Sequence, residues 1–134
     1  MQFNLTTDYA IRTVLYLAVT DEITSSAQIS KAMCISQKYI VNTIHKLKKA
    51  EIIESYPGIN GGYKLQRAAE DISMYDIVFA MEGTIKINRC LEEDEYCNRF
   101  ATRSCPVRKF YVTIQEDVEQ RFKNTSVAKL LTDL

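Results

Sequence analysis

Cys90, Cys97 and Cys105 fall within sixteen residues, separated by six and then seven residues. Thiolates are soft ligands that suit iron–sulfur clusters and zinc. The stretch that carries them is polar. Positions 91–95 read Leu-Glu-Glu-Asp-Glu, and 98–104 is mostly polar as well. Structural cysteines ordinarily sit in apolar surroundings, so three thiols in loop composition point to chemistry rather than packing. Structural zinc asks for four closed Cys or His ligands. The one histidine, His45, lies far from this stretch, so zinc fits poorly. A disulfide switch between two of these cysteines would need no metal and stays open. Cys34 stands apart and is expected to be a small buried hydrophobe.

The remainder of the chain must position these thiols and give them something to control. With 134 residues, one compact domain plus an appended element is the expected organisation. The chain carries 17 basic and 17 acidic residues, so any nucleic-acid binding must come from a local patch. The N-terminal apolar stretch is interrupted by Asp8, Arg12 and Asp21. No leader or membrane span is therefore expected, and a cytoplasmic, reducing setting follows. In such a setting a cysteine cluster binds metal or does redox chemistry more often than it forms a disulfide framework. No Ser/His/Asp set, phosphate loop or pocketed pair of acids argues for an enzyme.

Thr7 is suited to cap a first helix, along which Ile11, Val14, Leu15 and Ala18 share a face. Ser25 or Ser26 opens a second helix containing Ile29 and Ala32, and Ser36 opens a third that runs to about Ala50. Two short helices joined by a turn at 33–35 make a helix-turn-helix. The third helix separates its faces. Ile40, Ile44 and Leu47 form an apolar stripe, while Lys38, Asn42, His45 and Lys49 lie nearly opposite. Between Ser36 and Ala50 there are four lysines and no acid, a local positive field of the kind phosphate backbones attract. A solvated helix face would have the same composition.

The order of the next elements favours DNA. A β-prone run at 52–56 meets Pro-Gly-Ile-Asn-Gly-Gly, and 63–65 returns as a second strand. The Asn60-Gly61 pair is expected to supply the positive φ of a hairpin turn. Three helices followed by a glycine-tipped hairpin make a winged helix-turn-helix. Ser73 caps a further helix through Met81, ended by Gly83. After the cysteines, Pro106 suits a helix first turn. From there Val107, Phe110, Tyr111, Ile114, Val118 and Phe122 form an apolar stripe of about four turns. Burial against a second copy is the expected outcome, with packing onto its own domain as the alternative. Positions 127–131 form a short apolar tail that docks. The fold class is thus mostly α with a small β wing, namely a winged helix-turn-helix plus a long C-terminal dimerisation helix. It divides into 1–83 for DNA binding, 84–105 for the cysteine loop and 106–134 for dimerisation and tail.

Several motifs in order resemble the IscR/NsrR-like family of iron–sulfur winged-helix transcription regulators. They are Leu5-Thr6-Thr7-Asp8-Tyr9-Ala10, Ser36-Gln37-Lys38-Tyr39-Ile40, Gly61-Gly62-Tyr63-Lys64-Leu65, Ile72-Ser73-Met74-Tyr75-Asp76-Ile77 and Met81-Glu82-Gly83, followed by the three cysteines. The resemblance implies a homodimeric regulator, expected to be a repressor, that binds a double-stranded DNA operator. It implies Cys90, Cys97 and Cys105 as ligands of an iron–sulfur cluster, 4Fe–4S by preference or 2Fe–2S. Such a cluster would sense nitric oxide, iron or cluster status, or redox state. The IscR branch takes a histidine after the third cysteine, and Pro106-Val107-Arg108 offers none. The NsrR branch implies Asp8, from the partner subunit, as fourth ligand. Asp8 equally suits the first turn of a helix, where an acid complements the dipole. On the DNA side, Ser36, Gln37, Lys38 and Tyr39 open the recognition helix, whose first residues usually touch base edges. Asn42, His45 and Lys49 follow on the same face, and Asn60, Gly61, Gly62 and Lys64 belong to the wing. The alternative is a cluster-free winged-helix regulator that uses cysteine thiols or a protein partner.

Overall fold

The computed structural model describes residues 1–133. Leu134, the end of the predicted dimerisation segment, lies outside them. The elements are α1 (Leu5–Thr20), α2 (Ser26–Met33), α3 (Gln37–Lys49), β1 (Ile53–Tyr56), β2 (Gly62–Leu65), α4 (Met74–Glu82), α5 (Pro106–Lys123) and α6 (Val127–Thr132). Short 3-10 turns at Ala69–Asp71 and Arg89–Leu91 complete the order. No helix among the described residues is long and apolar enough to cross a membrane.

Local chemistry sets most helix boundaries. Ser25 and Gln28 close a reciprocal capping box at the start of α2, and Ser73 with Asp76 does the same for α4. Gly83 ends α4 at φ 75°. The start of α1 departs from expectation. The helix begins at Leu5, two residues before Thr7, which is fully buried inside it. No local side chain caps α1. The Glu82 carboxylate, at the end of α4, does the work instead. It accepts from the Asn4 backbone N–H at 2.9 Å, from Asn4 Nδ2 at 2.9 Å and from the Thr7 hydroxyl at 2.5 Å. A distant acid has taken the position a local cap would fill, because a helix N-terminus attracts any carboxylate that tertiary structure brings to it.

The Thr7 hydroxyl foremost, then Asn4 and the positive charge of Lys46, hold the Glu82 carboxyl below its ordinary value of 4.5, against the opposing effect of burial. A depressed folded-state pKa contributes stability above the unfolded value and loses it as pH falls through the folded one. Glu82→Ala should therefore cost about 1–3 kcal/mol at pH 7, since it leaves a buried hydroxyl without an acceptor. The gap in urea midpoint between wild type and variant should narrow as pH falls below 4.5. A gap independent of pH would show that the carboxylate charge does not carry the effect.

The core lies between α1, α3, α4 and the wing base. Val14, Leu17, Ile29, Ile40, Ile44, Leu47, Ile52, Ile53, Ile72, Ile77 and Val127 are all fully buried. Each such side chain contributes about 1.5–3 kcal/mol on removal from water. The stripe expected on α3 is the buried one. On α1 the buried face is set by Ala10, Val14 and Leu17, while Ile11, Leu15 and Ala18 are half-buried. That helix packs against α3, α4, α6 and β2, so its contact surface is wider than one stripe. The tail docks through Val127, which donates its backbone N–H to the Ile72 carbonyl at 2.9 Å.

In the wing, β1 and β2 pair antiparallel from Ile53↔Leu65 to Tyr56↔Gly62. Five residues separate the strands, and Asn60-Gly61 does not supply the positive φ expected of it. The left-handed residue is Gly58, at φ 102°. Thr24 adds a bridge on the other side of β2, exchanging backbone bonds with Tyr63 at 2.8 and 3.0 Å. A Cβ on Gly62 would lie 2.5 Å from the Thr24 carbonyl oxygen. This glycine allows the close approach of two backbones within the protein.

Candidate functional site

Two surfaces carry the candidate chemistry. The first is the exposed side of α3 with the wing. Lys38, Asn42, His45, Lys46, Lys48 and Lys49 are all exposed, and Ile40, Thr43, Ile44 and Leu47 are buried behind them. The helix-turn-helix turn reverses at Cys34, which adopts φ 55° and donates its backbone N–H to the Ser30 carbonyl. Cys34 is exposed rather than buried as expected. The left-handed cap turns its side chain away from the core, a conformation that sequence periodicity does not report.

The opening residues of α3 are partly engaged. Ser36 precedes the helix without a side-chain capping bond. Gln37 Nε2 donates to Ser26 Oγ at 3.0 Å, linking the two helices of the motif. Tyr39 is half exposed and its ring meets that of Tyr9 edge-on at 6.2 Å. Lys48 Nζ donates to Ser55 Oγ at 2.9 Å, which ties the helix to the wing. In the wing Asn60 is exposed and Gly61 and Gly62 are half-buried. Lys64 pairs with Asp21 at 3.4 Å, so its charge is drawn toward the end of α1. Sequence reasoning passed over Ile59, which stands fully exposed at the wing tip. The signal was present, since a turn of Pro, Gly and Asn has no need of an isoleucine.

The second surface is the cysteine loop. Cys90, Cys97 and Cys105 are free, half-buried, and line one open pocket of about 400 Å³. Cys105 is the N-cap of α5, and its sulfur accepts from the Arg108 backbone N–H at 3.5 Å. Backbone N–H groups of Ala101, Arg99 and Phe100 lower the Cys97 thiol below its ordinary value, with the Arg99 charge adding to them and burial opposing. This environment favours the thiolate, the form that binds metal and attacks electrophiles.

No three His, Cys, Asp or Glu side chains among the described residues converge on a point that would hold a single ion. A lone zinc at about 2.3 Å from each sulfur requires the thiolates almost in mutual contact. A multi-iron cluster takes thiolates on different irons and spreads them. Three thiols around a shared pocket, one of which accepts a backbone N–H, fit an anionic cluster better than a lone ion. Asp8 does not line this pocket. It lies on α1, where Arg12 binds it at 2.5 Å through Nη2 and 2.9 Å through Nε. The Arg12 guanidinium in turn lies over the Tyr9 ring at 5.4 Å. Asp8 is thus one end of a contact chain through Arg12 and Tyr9 to Tyr39 on α3.

The long helix α5 buries only Gln115. Gln115 Nε2 donates to the Ile85 carbonyl at 3.0 Å and its oxygen accepts from the Ile87 N–H at 2.8 Å, fastening α5 to the segment after α4. Val107 and Phe110 are 51% and 60% exposed, and Tyr111, Ile114, Val118 and Phe122 are half-buried. The polar anchor was not expected from the apolar stripe.

The family described as Rrf2, iron-dependent transcriptional regulator, matches residues 3–133. The regulator NsrR of Halalkalibacterium halodurans is 31% identical over 96 residues, covering 70% of this chain and 66% of its own. Among solved structures, CymR, the global cysteine regulator of B. subtilis, superposes with a TM-score of 0.81 at 22% identity, over 100% of this chain and 98% of its own. T. potens IscR superposes at 0.77 with 21% identity, over 99% and 88%. Both share the fold of this chain.

Proposed function

The chain belongs to the Rrf2 family of transcriptional regulators, and on that premise we propose that it is a homodimeric, cytoplasmic repressor whose operator binding is set by an iron–sulfur cluster on Cys90, Cys97 and Cys105. As a member of that family it is a DNA-binding regulator and not an enzyme. The observation that carries the proposal is the gathering of three half-buried thiols around one pocket, one of them held toward thiolate. The iron-dependence in the family's description and the likeness to NsrR support it.

When bound, such a cluster supplies chemistry sensitive to nitric oxide, oxidants and iron supply. The chain's own residues do the rest. Cys105 anchors the loop to the start of α5. Asp8 of each subunit would serve the partner's pocket as fourth ligand. Arg12, the residue that pairs with Asp8, lies over Tyr9, and Tyr9 meets Tyr39 at the start of the recognition helix, so a change at Asp8 would be felt there. Lys38, Asn42, His45 and Lys49 meet the major groove and its phosphates, with Ser36, Gln37 and Tyr39 at the leading end. The tip of the wing, from Ile59 through Asn60 to Gly62, reaches the neighbouring backbone, and Lys64 stands behind it. Half-site fit depends on the separation of the two recognition helices. A coupling of about 1–3 kcal/mol would change affinity roughly 5–150-fold.

A second reading has its own support. CymR of B. subtilis is a global cysteine regulator, and the oxidized form of Staphylococcus aureus CymR shares the same fold. Free thiols at Cys90, Cys97 and Cys105 would then act without iron. Iron, sulfide and visible absorption of protein purified without oxygen separate the two. Bound iron and sulfide, with operator affinity that changes when they are removed, are expected. Iron-free protein even after reconstitution would leave the thiol reading. Equal affinity with and without cluster would sink the cluster switch.

A further inference from the structure

Arg108 stands three residues after Cys105, in the first turn of α5, and its side chain reaches back over the cysteine pocket. Its Nε donates to the Cys90 carbonyl at 3.0 Å, and its Nη2 bonds Glu95 Oε1 at 3.1 Å. Its own backbone N–H is the one that meets the Cys105 sulfur. One residue therefore touches the chain at the first cysteine, at the acidic segment before the second, and at the third.

Local preference does not explain this placement. A cation in the first turn of a helix opposes the dipole, and acids are favoured there. Exposed ion pairs contribute little, yet the Arg108 side chain is only 23% exposed. Its planar fork suits simultaneous bonding to a carbonyl and a carboxylate, which the ammonium of lysine cannot reproduce. Glu95 also sits at φ 47°, a conformation that persists where surrounding contacts over-determine it.

We propose that Arg108 is the positioning residue of the cysteine loop: its guanidinium pins the Cys90 and Glu95 segments to the start of α5, so that three thiols surround one pocket, and its charge offsets that of an anionic cluster seated there. The first role holds for metal-free protein. The second rests on the iron–sulfur reading.

The two roles are tested separately on the full-length protein. In metal-free, reduced protein, iodoacetamide labelling is followed cysteine by cysteine by mass spectrometry, with exposed Cys34 as internal reference. Arg108→Gln should raise the labelling rate of Cys90 relative to Cys34 by roughly tenfold, as expected on losing a charge-assisted bonding pair. Arg108→Lys should fall between, and Glu95→Gln should raise it less than Arg108→Gln does. Circular dichroism like that of wild type confirms that each variant is folded. An unchanged Cys90 rate in folded Arg108→Gln overturns the clamp. For the second role, reconstituted Arg108→Gln should lose its visible absorption to a chelator several times faster than wild type. Equal loss rates overturn that role. Wild type that takes up no iron overturns it too, together with the cluster reading, and leaves the labelling result to decide the clamp.

Discussion

In the proposed homodimer, Phe110→Glu should give a monomer and remove most of the affinity for a two-half-site operator. Phe110 is 60% exposed and Val107, three residues nearer the cysteines, is 51% exposed. Behind them Tyr111, Ile114, Val118 and Phe122 are only half-covered, although α5 is 18 residues long. An apolar stripe of that length is rarely left to water in a stable protein. Covering each large side chain against a second copy contributes about 1.5–3 kcal/mol, and a buried, unpaired glutamate opposes it. Losing the second recognition helix removes the effective-concentration advantage, roughly 10²–10⁴ in affinity. Phe110 lies outside the core cluster, so the variant should stay folded, with its thermal midpoint lowered only by the lost contribution of association. Sedimentation equilibrium reads the assembly, and titration of full and half operators reads the affinity. A variant that stays dimeric would place the interface elsewhere.

Cys97→Ser should abolish the response to the signal while leaving the fold intact. Cys97 sits in the loop with no role in the core, and its thiol is the one that backbone N–H groups hold toward thiolate. Serine keeps the shape and loses the soft ligand. Anaerobically purified variant should lack the visible band and most of the iron. Its operator affinity should sit at one value, whatever the nitric oxide or iron supply, where wild type moves roughly 5–150-fold. Iron retained at the wild-type level would remove Cys97 from the ligand set. Iron-free wild type whose affinity shifts with oxidant, joined to a Cys97→Ser variant that does not shift, would establish the thiol switch instead.

Much of this protein is legible along the chain because its signals are local. Capping boxes at Ser25 and Ser73, the glycine after α4, and Pro106 one residue past Cys105 all act within a single helix turn. The apolar stripe of α3 is buried as its spacing requires, and its opposite face stays free and basic. The three thiols were evident as candidate ligands from composition alone, since an acidic, polar stretch gives cysteine no core to fill.

Local features also mislead where a distant group competes. Asn60-Gly61 has the composition of a tight turn, yet the five-residue spacing between strands moved the left-handed residue to Gly58. Cys34 reads as buried and is exposed by a left-handed cap.

By itself, then, the sequence determined the order of elements, the polarity of the recognition helix and the family, and it singled out the candidate ligands, because propensity, periodicity and thiol chemistry act over a few bonds. Tertiary structure alone decided that Glu82 caps a helix beginning 77 residues earlier in the chain, at Leu5. It alone decided that Gln115 anchors α5 and that Arg108 spans the cysteine loop. Those contacts join residues from 18 to 78 positions apart. A helix N-terminus, a loop carbonyl or a bare N–H accepts any partner of the right charge, so only the folded path of the chain selects which one arrives.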